Sequence, residues 1–227
     1  YRKADMPMKA AALYRCLRRL RRDTRAVSIV EFAFALPLFL IITISGLEVA
    51  NLAITSMRVN QIAISLADNA SRLKQQSVGS APRIRDYDVN QAFTAAALQG
   101  ANLGIVQNGR LFLSSLETNT AGGQWIHWQR CQGNMTSYQS SYGKQGDGKT
   151  GTGFPGMGPV GKEVTAEPDS AIMVAEIAYK YQPLIAGNLF GDIIIRKYSA
   201  MYVRDDRDLS GDGISNLSPQ VTVSACS

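Results

Sequence analysis

Residues 27–48 read VSIVEFAFALPLFLIITISGLE, and the fold turns on what this stretch does. No positive charge occurs between Arg25 and Arg58, and the only ionisable side chains in that interval are Glu31 and Glu48. The densest part, residues 32–47, covers about 24 Å as a helix rising 1.5 Å per residue, short of the ~30 Å hydrocarbon core of a bilayer. Including residues 27–30 brings the run to about 21 residues, which is enough to span. That choice places Glu31 roughly one turn inside the membrane and Glu48 at the far interface, where water reaches it.

The flanks set a direction. Arg15, Arg18, Arg19, Arg21, Arg22 and Arg25 crowd the N-terminal side, with Arg58 alone near the other end. The positive-inside rule then keeps the N-terminus in the cytoplasm and exports the remainder. A secretory signal peptide would close on a small-x-small cleavage site, which residues 43–46 (TISG) resemble only weakly, and an acidic residue at the start of the run speaks against one. A soluble core helix rarely carries so lopsided a basic flank.

The net charge of +6 is local. Residues 1–26 hold nine Lys/Arg against two Asp, and the rest holds fifteen against sixteen Asp/Glu. A nucleic-acid partner needs a basic face on the folded domain, and this distribution supplies none. With 45% hydrophobic and 19% charged residues, the chain has the material for a packed core.

Glu31 carries the most information. A carboxylate in hydrocarbon costs a few kcal/mol on insertion scales unless a positive group meets it. Either it is neutral or snorkels to the cytoplasmic headgroups, or it marks a contact with another subunit. Around it lies a wider pattern: a basic stretch, the small residue Ala26, then Val27-Ser28-Ile29-Val30, then Glu31-Phe32, with Pro37 six residues after the Glu. This pattern, about 35 residues long, resembles the TadE-like family, pilin-like proteins of the tight-adherence (Flp-type) pilus machinery. Late Tyr- and Val-rich strands and the VRDDRDL run at residues 203–209 support the likeness more loosely.

The resemblance implies a minor pilin or pseudopilin of the bacterial inner membrane, with a periplasmic head that can enter a pilus. Its implied partners are the membrane, other pilin-like subunits, pilus platform proteins and a prepilin peptidase. That peptidase would cut between Ala26, where the family usually has Gly, and Val27. Glu31 and Phe32 become the implied assembly residues. A new amine at Val27 would lie one helical turn from Glu31 and could also reach Glu31 of a neighbour, and either pairing offsets the cost of the carboxylate.

Three regions follow: a basic cytoplasmic leader (1–26), a transmembrane and amphipathic stalk helix (27–78), and an exported α+β head (79–227). Val59, Ile62, Leu66, Ala70 and Leu73 recur at helical spacing, so the stalk continues beyond the membrane until residues 79–82 (GSAP) end it. A shorter helix is expected over 88–99, closed by Gly100. Asn108-Gly109 between apolar stretches predicts a hairpin within 105–116. Residues 124–131, 171–181 and 193–203 read as further strands, giving a pilin-like architecture in which an antiparallel sheet packs against the stalk. The Gly-, Ser- and Gln-rich residues 133–161 are expected to form a flexible loop. Cys16 falls in the leader, whereas Cys131 and Cys226 lie on the oxidising side and can form one disulfide.

Catalytic chemistry finds little support, and the chain reads as non-enzymatic. Its single histidine, His127, sits between Trp125 and Trp128 on a predicted strand, where a lone His is a structural residue. Residues 151–156 match GxGxxG in letters only, following no strand and opening no helix. No cofactor is implied. A calcium loop is the one ion site suggested, with Asp208, Ser210, Asp212 and Asn216 as alternating oxygen ligands, but Pro219 stands where an EF-hand places its Glu. A solvated acidic turn is the simpler reading. The contrasting function is an N-terminally anchored periplasmic enzyme or ligand-binding protein that no prepilin peptidase processes.

Overall fold

The computed structural model describes residues 25–73, 82–185, 191–204, 206–216 and 219–226. Residues 1–24 of the expected leader, with Cys16, and residues 79–81 of the predicted helix stop at 79–82 lie outside them. Two compact units divide the chain, residues 1–50 and 51–227. One α-helix, α1 (Arg25–Arg72), runs through both, with Pro37 inside it.

In the first unit the helix is long and apolar enough to cross a membrane, and none of its most apolar window is buried. Phe34 is 80% exposed and Ile29 71%. Glu48, expected within reach of water, is instead buried and not without a partner.

In the second unit the same helix becomes amphipathic. Val59, Ile62, Ala63, Leu66, Ala67 and Ala70 form a buried stripe at three- and four-residue intervals. They share a core with helix α2 (Asp86–Gln99) and with one face of a four-stranded antiparallel sheet. The strands are β1 (Gly109–Thr118), β2 (Gln124–Gln132), β3 (Ala171–Lys180) and β4 (Ile194–Tyr202), in spatial order β2-β1-β3-β4. Helix α2 starts two residues before its predicted position. The Arg85 backbone N–H and guanidinium both donate to the Asp88 carboxylate, a cap that fixes the first turn.

Two sequence expectations are revised. Asn108-Gly109 makes no hairpin: a 3₁₀ turn at Ala101–Leu103 leads through residues 104–108 directly into β1. Gly109 is there for space, because a Cβ on it would stand 2.6 Å from the Ile105 carbonyl oxygen and 3.1 Å from that of Ala178. The hairpin lies one strand later, between β1 and β2. There the Asn119 side-chain oxygen accepts from the Ala121 and Gly123 N–H groups, a local bond that shapes the turn.

Residues 133–161 contribute no strand to the sheet, as expected of a loop, but they are tied down upon it. Met157 is buried, and Phe154 and Tyr142 pack with Ile126, Ile172 and Val174 on the sheet face away from the helices. Glu176 on β3 accepts from the Ser140 hydroxyl and the Ser141 N–H. Both faces of the sheet are therefore covered, which is why β1 and β3 are buried almost end to end rather than at alternate residues.

Candidate functional site

Two regions carry the residues singled out in the sequence, one in each unit. In the first, Ala26 and Val27 lie in the opening turn of α1, and Glu31 and Phe32 follow one turn later. Val27 and Phe32 are 54% and 64% exposed, and Glu31 is exposed as well. A surface of Phe, Leu, Ile and Val side chains broken by one carboxylate has the chemistry of a helix that meets lipid or other apolar helices.

The second region is built around His127. Strands β1 and β2 pair Ser115 with Trp128 and then Leu116 with Ile126, so His127 is the extra residue of a β-bulge. The bulge breaks alternation, and successive side chains of β2 no longer fall on opposite faces there. His127 reaches Glu117 on β1, with Nδ1 2.6 Å from Oε2, and its Nε2 donates to the Gly211 carbonyl at 2.9 Å. Trp125 stacks on the imidazole, ring centroids 4.1 Å apart. Gly213, with φ of 66°, permits this approach: a Cβ there would lie 2.6 Å from His127 Nδ1.

The Gly211 carbonyl accepts, and an ionised Glu117 does too, so with the carboxylate charged the bonding pattern places a proton on each ring nitrogen. Burial opposes the charged form most strongly. The Glu117 hydrogen bond and charge, the Gly211 carbonyl and the charge of Asp212 together outweigh it, and the His127 pKa is raised above its ordinary value. An imidazolium held in this way has no lone pair to offer as a base. Ser115 does not complete a relay, because its hydroxyl donates to Glu117 Oε1 at 2.6 Å and the carboxylate, not the imidazole, stands in the middle.

Beside this pair opens a cavity of about 650 Å³. Its walls come from the start of α2, from β2, from residues 145–149 and from residues 211–216. Arg130 on β2 donates through Nε to Asp86 Oδ1 at 2.6 Å, a pair whose side chains are 10% and 4% exposed. The 211–216 wall is stitched to the α2 entry, where Asp86 N–H donates to the Ser215 carbonyl and Ser215 N–H to that of Ile84.

The proposed calcium ligands have other employment. Asp208 faces Arg83 and accepts from the Ser210 N–H, while Ser210 Oγ accepts from Arg83. Bonds from Ser210, then the Arg83 guanidinium, hold the Asp208 pKa down to about 2. The Asn216 amide exchanges two hydrogen bonds with the Val221 backbone. Asp212 alone of the four turns to the cavity with no such bond. Among the described residues no group of three or more His, Cys, Asp or Glu side chains could hold a metal ion. Asp208 and Ser210 thus tie this turn to Arg83, and Asn216 closes a local turn. Arg207, in the same VRDDRDL run, donates to the Leu73 carbonyl at 2.6 Å, just past the last turn of α1.

Cys131 and Cys226 form the expected disulfide. Next to it Cys131 N–H donates to the Ser224 carbonyl at 2.7 Å, and Arg130 bridges to Ala225. The C-terminal segment thereby covers one end of edge strand β2, and residues 145–147 cover the other through Gln129 N–H, Ile126 N–H and the Ile126 carbonyl. Residues 151–156 remain loop, with no helix behind them. Sequence reading missed the bulge and the cavity. The only available signal was the crowding of both tryptophans and the single histidine into four residues.

No protein-family model matches the chain, and no curated protein or solved structure is significantly similar to it.

Proposed function

We propose that this protein is a minor pilin or pseudopilin-like component of a tight-adherence type pilus assembly or secretion machine, acting through helix packing and partner binding. One observation carries the reading. A single uninterrupted helix, Arg25–Arg72, leaves apolar side chains exposed over its first half and supplies the core stripe of the α+β unit with its second. A soluble domain does not leave Phe32, Phe34, Phe39 and Ile42 exposed on one helix, because the cost of hydrating them scales with their apolar area. A bilayer or a bundle of like helices removes that cost.

The basic residues before Ala26 keep the N-terminus cytoplasmic and the head periplasmic, and the disulfide fits that compartment. Glu31 sets register or recruits partners, paired with the amine that cleavage at Ala26–Val27 releases, and Phe32 begins the packing surface. The head reads as non-catalytic, supported by the double occupancy of the His127 ring.

The test is Glu31→Gln in the full chain. Loss of co-purifying pilin-like subunits or of pilus assembly is expected, with the protein still in the membrane. Unchanged partners and assembly would sink the reading and favour a permanently anchored envelope protein. Intact mass with and without the prepilin peptidase reads the leader directly: an N-terminus at Val27 supports the pilin route, and residues 1–26 retained in both argue against it.

A further inference from the structure

The cavity beside β2 has a chemistry that the assembly reading does not use. Its volume, about 650 Å³, falls within the roughly 300–1,000 Å³ of small-molecule sites. Both tryptophans of the chain line it. Trp125 is partly buried, lines the cavity and has one ring face backed by His127.

The charges around the cavity narrow the ligand class. Arg130 is neutralised by Asp86, and His127 by Glu117. Two exposed charges remain on the walls, Lys149 and Asp212, and neither forms an ion pair among the described residues. They are opposite in sign, so the cavity presents no net cationic field to gather a phosphate or a carboxylate. An extended peptide has no backbone to pair with at this edge, because the Ile126, Gln129 and Cys131 N–H groups already donate elsewhere. An oily ligand would cover Lys149, Asp212 and the Gln145 side-chain NH2 without offering them partners, at the cost of burying them unpaired.

A neutral polyol with a flat, C–H-rich face meets each of these conditions. It stacks on an indole, accepts from an ammonium and an amide N–H, and donates to a carboxylate. We propose that this cavity binds a neutral saccharide, stacked on Trp125 and hydrogen-bonded by Lys149, Asp212 and Gln145. The site belongs to the second unit, and the proposal holds however the N-terminal helix is used.

Both tryptophans being in the wall, their fluorescence reports this site directly. The full chain would be reconstituted in lipid nanodiscs, avoiding detergents with sugar headgroups, and titrated with maltose, cellobiose and diacetylchitobiose. A saturable change with at least one of them, in the millimolar range, is expected. Lys149→Ala combined with Asp212→Ala should weaken that sugar roughly tenfold or more through the loss of charge-assisted bonds, with the thermal melt lowered only slightly, since both residues are exposed and Asp212 is the smallest of the influences holding the His127 charge. The proposal is overturned by no saturable response to any of the three sugars, by a response that the double variant leaves intact, or by inorganic phosphate saturating the site in their place.

Discussion

Replacing His127 with glutamine should weaken the pH dependence of the head's stability between about pH 5.5 and about pH 9. The ring nitrogens face Glu117 Oε2 at 2.6 Å and the Gly211 carbonyl at 2.9 Å, so the folded state holds a second proton on the imidazole. Because its folded pKa is raised, the His127 contribution is complete below the unfolded value of about 6.5 and is lost as pH rises through the folded pKa. The magnitude follows from burial. With the side chains 6% and 4% exposed, the substitution leaves a buried Glu117 carboxylate with only the Ser115 hydroxyl at 2.6 Å. Removing one partner of such a pair costs about 3–5 kcal/mol, against about 0–1 kcal/mol for an exposed pair. Urea titrations followed by tryptophan fluorescence, at about pH 5.5 and about pH 9, measure the difference in the full chain. The chain has one histidine, so no other imidazole contributes to the pH dependence. The variant should lose roughly 3–5 kcal/mol at the lower pH and less at the higher, as the wild type gives up its own proton. An equal loss at both values, or one under about 1 kcal/mol at the lower, refutes the buried cation.

Two further substitutions test the architecture. Cys226→Ser opens a loop of sequence separation 95, for which the chain-entropy model assigns about 4.7 kcal/mol. A destabilisation of roughly 3–5 kcal/mol in urea, with faster hydrogen exchange at the Cys131 amide, is the expected outcome, and a loss below about 1 kcal/mol would mean that the C-terminal segment holds itself to β2. Gly109→Ala pushes a methyl to within 2.6 Å of the Ile105 carbonyl and should cost roughly 1–3 kcal/mol, read as a lowered melting temperature. An unchanged melt would show that no close approach exists there.

Local patterns were read well from the sequence where one element satisfied itself. Of the expected stripe, Val59, Ile62, Leu66 and Ala70 are buried on α1, where helical periodicity is set by the backbone alone, and Leu73 lies one residue past the helix end. Strands β2, β3 and β4 fall within a residue or so of their predicted spans for the same reason, and Cys131 pairs with Cys226. Asn108-Gly109 misled because a glycine required for close approach looks the same in sequence as one required for a turn. The acidic turn at residues 208–216 was open to two readings in a similar way. Oxygen-bearing residues at alternate positions are equally suited to an ion and to Arg83, and only the fold brings Arg83 against Asp208.

The candidate cavity could not be read from the chain. Its parts come from residues 86, 125–130, 145–149 and 211–216, and their meeting depends on sheet order, on a bulge at His127 and on a disulfide-fastened C-terminal segment. By itself the sequence determined the long apolar helix, its basic flank and the α+β order, since these follow from local composition and periodicity. Tertiary structure alone decided which polar groups are neutralised and which stay free. Arg130 and His127 are occupied, while Lys149 and Asp212 form no ion pair among the described residues, because charge pairing depends on distances of a few ångströms between residues as much as 44 apart in sequence, as Arg130 and Asp86 are.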